Sequence, residues 1–184
     1  MTEVARPGVV SQVQVNFVRQ QGFKDASTVT CGLQYPALMV QPRVIGIVVL
    51  VGAVLQVPWL FVVLSVVLWW NALVPRLNPF DAAYNILVAD RRARLRLTPA
   101  PAPRRFAQAL AATMALSIAA ALFTGRTALA TGFELFLLAA IAALVFGGFC
   151  FGSFVFHLIT GSVGFAMRTL PWRDASSKDS SKPT

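Results

Sequence analysis

The longest uncharged segment of the chain constrains its fold more than any other feature. From Val44 to Val74 none of the 31 residues is charged. A helix of that length would reach about 46 Å, whereas the hydrocarbon core of a bilayer is about 30 Å thick. One span is therefore too few, and Pro58, between Gln56 and Trp59 near the middle, predicts a tight turn between two spanning helices.

Two further apolar segments follow. Phe106 to Gly125 is a run of 20 uncharged residues with arginines on either side. In the block from Thr127 to Met167 the only ionisable residues are Glu134 and His157. This block is too long for one span and lacks a polar turn for two, so we expect a single span over about 133–160, with Glu134 near its outer end, in reach of water or of an arginine.

The predicted fold is an all-α integral membrane protein with four transmembrane helices arranged as two hairpins. Its composition, 57% apolar and 12% charged, agrees, because soluble domains carry about 25% charged residues. The expected spans are about 38–57, 58–74, 106–125 and 133–160. An N-terminal cytoplasmic arm (1–37) would precede the four-helix domain (38–162), and an interfacial segment with a disordered tail (163–184) would follow. Within the cytoplasmic loop 75–105, Asn78-Pro79 predicts the start of an interfacial helix.

Positive charge gives the expected orientation. With four spans, fifteen of the sixteen Lys and Arg residues lie on one side and only Arg126 lies on the other. Basic residues concentrate in cytoplasmic loops, so we expect a bacterial inner-membrane protein with both termini in the cytoplasm. Residues 1–30 contain no apolar signal-peptide core. Cys31 and Cys150 would lie at different depths, so no internal disulfide is expected.

Three groups of residues are candidates for contacts. Basic residues of the loop are expected at anionic lipid headgroups, and a nucleic-acid role is excluded because the loop lies against the membrane: Arg91, Arg92, Arg94, Arg96, Arg104 and Arg105. Small residues predict close packing of the third span on the fourth: Ala107, Ala111 and Ala115 on one, Ala139, Ala143, Gly147, Gly148 and Gly152 on the other. Aromatic residues are expected to dock other integral membrane subunits: Phe149, Phe154, Phe156, Trp69 and Trp70.

The N-terminal arm contains an alternating pattern of apolar and polar residues. Val13, Val15 and Phe17 alternate with polar residues, which is typical of a short strand on the surface of a partner, or of a flexible terminus.

Few residues can carry chemistry. One histidine and two cysteines cannot form a catalytic triad or a multi-histidine metal site, so we expect no enzyme and no resident cofactor. His157 is a candidate ligand for a haem or pigment, and Cys150 is the one thiol expected within the membrane.

Several short motifs resemble a bacterial integral membrane family, domain of unknown function 4395. They are Gln41-Pro42-Arg43, Asn78-Pro79, Pro101-Ala102-Pro103-Arg104-Arg105-Phe106-Ala107 and Gly148-Phe149-Cys150-Phe151-Gly152-Ser153. The resemblance covers about 40–161 and implies a helical membrane protein. The family typically carries Cys-x-x-Cys at the last motif, which would imply thiol chemistry. This chain has Cys150 and Ser153 there, and a lone thiol cannot form that disulfide.

The leading functional hypothesis is a non-catalytic accessory subunit of a larger respiratory or photosynthetic membrane complex. The alternatives are a membrane thiol or sulfur-relay protein that uses Cys150, and a haem- or pigment-binding protein that uses His157.

Overall fold

The computed structural model describes residues 11–23, 35–86 and 99–172, and within these ranges it contains helices and turns but no strand. The α-helices, in chain order, are α1 (Gln12–Gln20), α2 (Val40–Leu55), α3 (Pro58–Leu73), α4 (Pro79–Tyr84), α5 (Ala102–Phe123), α6 (Thr127–Gly147), α7 (Phe151–Ile159) and α8 (Val163–Arg168). The chain is therefore all-helical over the part that the structure describes.

Three helical segments have the length and apolar composition needed to cross a membrane. They are Tyr35–Leu55, which includes α2, Ala102–Phe123 and Thr127–Gly147. Helix α3 is equally apolar but has only 16 residues. The structure is thus that of an all-α protein of the membrane type, in agreement with the composition.

The turn between α2 and α3 lies where the sequence predicts it. Gln56 ends α2 with a left-handed backbone (φ 51°), and Pro58 occupies the first turn of α3. The Gln56 Nε2 donates to the carbonyl of Ala53 (2.6 Å) and to both carboxylate oxygens of Glu134 (3.2 and 3.1 Å). Glu134 is buried, so the expectation that it reaches water or an arginine is wrong: a neutral amide holds it instead.

Helices α3 and α5 run antiparallel and share the most extensive helix–helix contact among the described residues. The Ser65 hydroxyl donates to the carbonyl of Ala112 (2.9 Å). About two turns nearer the start of α5, the Arg105 Nε donates to the carbonyl of Ala72 (2.7 Å). The main hydrophobic cluster lies between these two helices and α2 and α6: Ile45, Val49, Phe61, Leu64, Leu68, Ala112, Ala115, Ile118, Ala119, Ala121, Ala130 and Leu137.

The last apolar block is not one continuous helix over 133–160, as predicted, but two helices. Helix α6 begins at Thr127 and ends at Gly147, because Gly148 adopts a left-handed conformation (φ 63°). The amide of Gly148 donates to the carbonyl of Leu144 and that of Phe149 to the carbonyl of Ala143, both at 3.1 Å. This glycine cap satisfies the last carbonyls of α6 and turns the chain away. Helix α7 then starts in a new direction and packs against the first turns of α5.

The strand, one of the two alternatives for the N-terminal arm, is not present there, since Val13, Val15 and Phe17 lie in α1. The Ser11 hydroxyl accepts from the amide of Gln14, whose side chain accepts from the amide of Ser11. This reciprocal capping box stabilises the first turn of a helix. Val15, Phe17 and Val18 are buried in a second hydrophobic cluster, which also contains Phe23, Ala37, Leu38, Met39, Tyr84 and Cys150.

A short helix, α4, begins where the Asn78-Pro79 motif predicts one. Asn78 is its N-cap, with the side-chain oxygen accepting from the amides of Phe80 and Asp81, and Pro79 is its first residue. Residues 87–98 and the tail from 173 onward, predicted as the basic end of this loop and as a disordered segment, lie outside the described residues.

Candidate functional site

One end of the helical bundle contains a buried ion pair inside a polar cluster. This end is formed by the N-termini of α2 and α5, the C-terminus of α3, α4 and α7. The guanidinium of Arg104 donates from Nη1 and Nη2 to the two carboxylate oxygens of Asp81, at 3.2 and 2.9 Å. Both residues are more than 90% buried. A two-pronged contact of this kind compensates both charges in a site with little water.

Two glutamines extend the cluster into the bundle. The Gln41 Oε1 accepts from the Arg104 Nη2 (2.7 Å) and from the Gln108 Nε2 (3.1 Å). The exposed fractions of Gln41 and Gln108 are 4% and 6%. The three residues come from α2 and from two successive turns of α5, so the cluster ties the start of both helices together.

Unsatisfied polar atoms are concentrated at the same end. Among the residues that the structure describes, the buried side-chain atoms without a hydrogen-bond partner are Gln20 Nε2, Gln41 Nε2, Asn71 Nδ2 and Oδ1, Asn78 Nδ2, Gln108 Oε1 and Ser153 Oγ. Each such atom costs about 1–3 kcal/mol if nothing hydrogen-bonds to it. The unsatisfied atoms therefore lie in the same part of the bundle as the buried ion pair.

A cavity of about 100 Å³ lies beside this cluster. The residues that line it include four polar ones, Gln41, Gln108, Arg104 and Gln21, and Cys150. The rest of the wall is largely apolar and comes from α1, α2, α3, α5, α6 and the turn before α2: Phe17, Leu38, Pro42, Ile45, Leu68, Ala107, Ala111, Ile141 and Leu144. A cavity of about 150 Å³ can hold benzene, so this one suits a compact molecule of a few heavy atoms.

The backbone fixes the position of Cys150 in this wall. Cys150 is the N-cap of α7, with an extended backbone, and its amide donates to the side-chain Oε1 of Gln20 on α1 (3.0 Å). Its side chain is a free thiol and is buried. Cys31, the other cysteine, lies outside the described residues, so the expectation of no internal disulfide is not tested at that end.

His157 lies next to the same helix pair but outside the cavity wall. Its Nε2 is 3.0 Å from the backbone carbonyl oxygen of Gln20. The imidazole packs between Phe156 and Phe165, with ring centroids 5.6 and 4.8 Å away. A metal at Nε2 would have to replace this hydrogen bond, and the described residues hold no group of three potential metal ligands. Haem or pigment ligation by His157 stays a prediction.

Most residues expected to bind a partner contact their own chain. Val15 and Phe17 are buried, and Phe149 stacks at ring-centroid distances of 5.5 Å on Phe154 and 6.3 Å on Trp172. Phe156 contacts Phe106 on α5 (5.7 Å). Trp69 and Trp70 are exposed, as is typical of a membrane interface, and Val13 fills the space in front of Gly148.

The small-residue stripes meet at one point. A Cβ on Gly152 would lie 2.6 Å from both the Cα and the Cβ of Ala107, so α7 touches α5 there, backbone to backbone. Ala115 is fully buried and Ala111 lies in the cavity wall. Ala139 and Gly147 are exposed and Ala143 is half-buried, so the expected stripe on α6 is not a tight interface.

The expected lipid-headgroup role is wrong for Arg104, because Asp81 and Gln41 hold its side chain inside the protein. Arg105 is half-buried on the carbonyl of Ala72. The remaining four, Arg91, Arg92, Arg94 and Arg96, lie outside the described residues.

The sequence analysis missed Gln41, Gln108 and Asp81. The sequence did contain a feature that indicates a buried polar contact. Gln41 and Gln108 each lie in an otherwise apolar helix near its basic end, and burying an amide there is unfavourable unless it is hydrogen-bonded to another polar group. The two are 67 residues apart in the chain, so the pairing itself required the fold.

Comparison with known proteins gives one match. No curated protein and no solved structure matches the chain. The family model for the domain of unknown function 4395 matches residues 36–160, which include α2 to α7 and thus the cavity wall apart from Phe17 and Gln21. The chain therefore belongs to the family of the domain of unknown function 4395.

Proposed function

We propose that this protein is a membrane thiol protein in which Cys150 takes up sulfur from a small molecule bound in the cavity and passes it on. The observation that carries the proposal is the composition of the cavity wall. It combines a free thiol with two buried amides that each have an unpartnered atom.

A single thiol is sufficient for this chemistry. In the proposed step Cys150–SH reacts with hydrogen disulfide, HS–S⁻, to give Cys150–S–SH and HS⁻. The S–S bond of the donor breaks, a new S–S bond forms at Cys150, and the proton of the thiol stays with the products. No oxidant is consumed, whereas a disulfide cycle would need a second cysteine at the position of Ser153.

The accessory-subunit hypothesis has less support. It was motivated by the aromatic residues of α7 and by the N-terminal arm, and both are largely engaged in contacts within the chain. Membership of a respiratory or photosynthetic complex stays a prediction, as does the absence of enzymatic activity.

The membrane setting that we propose has four spans. Helix α3 would cross together with α2 as a hairpin, although its 16 residues reach only about 24 Å. Tilt of its neighbours or local thinning of the bilayer accommodates such a difference. We further propose the bacterial inner membrane, with the cavity at the cytoplasmic end of the bundle, because the basic residues concentrate there.

The proposal is tested by sulfur uptake in a Cys31→Ser background. The purified protein in mild detergent is incubated with inorganic disulfide, and its intact mass is followed. We expect a gain of one sulfur atom that dithiothreitol removes. The further substitution Cys150→Ser abolishes the gain.

A matched pair of variants on α5 links uptake to the cavity. Ala111 lines the cavity, whereas Ala120 is exposed on the same helix. We expect Ala111→Leu to slow uptake about ten-fold, which corresponds to about 1.4 kcal/mol, because the larger side chain fills part of the cavity. Ala120→Leu should leave the rate unchanged. If Cys150 takes up sulfur only after the protein is denatured, the proposal is wrong.

A further inference from the structure

The polar residues of the cavity wall are bonded mainly to each other. The Arg104 guanidinium binds the Asp81 carboxylate and the Gln41 Oε1, which also accepts from the Gln108 Nε2. The remaining amide atoms, Gln41 Nε2 and Gln108 Oε1, are buried and have almost no accessible surface. This part of the wall therefore offers a bound molecule neither an uncompensated charge nor a free amide group.

The larger part of the wall is apolar. Nine of the fourteen lining residues have hydrocarbon side chains, among them Ile45 on α2, Ala111 on α5, and Ile141 and Leu144 on α6. An engineered cavity lined by Leu, Ile and Phe stays dry and takes up benzene or xenon. A hydroxyl or a charge that enters such a site loses its hydration without gaining a partner, so the wall favours uncharged, apolar molecules.

We propose that the sulfur donor of this site is a short, uncharged persulfide, R–S–SH, in which R is hydrogen or a small alkyl group. The inference rests on the proposed function and names the substrate class. The apolar wall selects R, and a volume of about 100 Å³ limits the donor to a few heavy atoms. Hydrogen disulfide is the smallest member of the class when it enters in its uncharged form, HS–SH.

Persulfides of amino acids and peptides are excluded from this class. They carry ammonium and carboxylate groups, and the charge of Arg104 in the wall is already matched by Asp81. Burying a further charge beside this pair would leave that charge without a partner, which is strongly unfavourable.

The proposed reaction transfers one sulfur atom. The Cys150 sulfur attacks the outer sulfur of R–S–SH, the S–S bond of the donor breaks, and Cys150–S–SH forms. The proton of the Cys150 thiol passes to the sulfur that leaves, so R–SH is the second product. No oxidant and no reductant is consumed.

The test uses three methanethiosulfonates, with propyl, 2-hydroxyethyl and hexyl groups. With each one the thiolate attacks the sulfenyl sulfur, forms the mixed disulfide and releases methanesulfinate. Rates are measured by intact mass for Cys150 in the Cys31→Ser protein, well below its unfolding temperature. The reference thiol is Leu116→Cys in a protein with Cys31→Ser and Cys150→Ser, because Leu116 is exposed on α5. Both thiols lie in the same detergent micelle, so partition of the reagents into the detergent cancels.

We expect the ratio of the propyl rate to the 2-hydroxyethyl rate to be about five-fold higher at Cys150 than at the reference thiol, because the hydroxyl finds no partner in the wall. We expect the ratio of the hexyl rate to the propyl rate to be about ten-fold lower at Cys150, because the longer chain overfills the cavity. At the reference thiol the chain lies among detergent tails, and its length has little effect.

The outcomes separate the two proposals. If Cys150 reacts but both ratios equal those of the reference thiol, the substrate class is wrong and the thiol function stands. The same holds if Cys150 prefers the 2-hydroxyethyl reagent, since a polar group such as Gln21 would then face the bound molecule. If Cys150 reacts with none of the three reagents, the thiol function is overturned and the inference with it.

Discussion

Gly152 is the residue at which α7 comes closest to α5. The space for a side chain is already taken by the Cα and Cβ of Ala107, which would lie 2.6 Å from an added Cβ. These atoms belong to a helix backbone and cannot rotate away. The start of α7, which follows Cys150, can therefore lie this close to α5 only because residue 152 has no side chain.

We expect Gly152→Ala to destabilise the protein by about 1–3 kcal/mol, because α7 must move away from α5. The matched control is Gly132→Ala in α6, where nothing lies within 4 Å of the added methyl. That change should be neutral or stabilising by up to about 1 kcal/mol, since alanine is the better helix former. Thermal unfolding in detergent measures both, and equal shifts for the two variants would contradict the close approach.

At the residue scale, local features could be predicted from the sequence and distant pairings could not. The Asn78 cap depends on amides two and three residues away, and the sequence predicts it correctly. The role of Arg104 depends on Asp81 and on Gln41, which is 63 residues away. A basic residue beside an apolar span has the same appearance whether it meets a lipid headgroup or a buried carboxylate.

At the element scale, α1 covers one side of the cavity. Phe17 lines the cavity with 2% of its surface exposed, and its ring contacts Tyr35 edge-on at 5.4 Å. The neighbouring Val18 is fully buried but does not line the cavity. Substitutions at these two positions therefore distinguish the covering of the cavity by α1 from the contribution of α1 to stability.

We expect Phe17→Ala to increase the rate at which N-ethylmaleimide modifies Cys150, and to lower stability by about 3–5 kcal/mol. Val18→Ala should lower stability without increasing the rate. Both rates are measured in the Cys31→Ser background, well below the unfolding temperature of each variant. If Val18→Ala increases the rate as much as Phe17→Ala, the thiol is reached by unfolding and α1 does not cover it.

The two elements that the sequence analysis assigned wrongly share a physical cause. In α1 the alternation of apolar residues suggested a strand, but the Ser11-Gln12-Val13-Gln14 capping box and tertiary burial favour a helix. In the block that contains α6 and α7, hydropathy is continuous and does not reveal the glycine cap at Gly148. In both places the deciding signal was a helix-end motif rather than periodicity.

At the scale of the whole molecule, α3 decides the number of spans. It has the composition of a spanning helix but a length of 16 residues. Its antiparallel packing on the longer α5 places its two ends next to opposite halves of that helix. If α5 crosses the membrane, α3 is expected to cross with it.

We expect Val57→Cys and Arg126→Cys to be labelled from the same side of the membrane, and Arg76→Cys from the opposite side. Val57, Arg126 and Arg76 are exposed and lie before α3, between α5 and α6, and after α3. The variants are made without the native cysteines and treated in intact cells with a membrane-impermeant maleimide, before and after permeabilisation. Labelling of Val57→Cys and Arg76→Cys from one side would show that α3 does not cross.

The left-handed conformation of Gly148 has a consequence for the position of Cys150. A residue with a side chain at position 148 would favour right-handed backbone, and α6 would then continue through residues 148–150. Cys150 would lie on this extension, further along the axis of α6. Cys150 would then leave the cavity wall although no residue of the wall had been substituted. The position of the Cys150 thiol therefore depends on the backbone conformation of Gly148, a residue without a side chain.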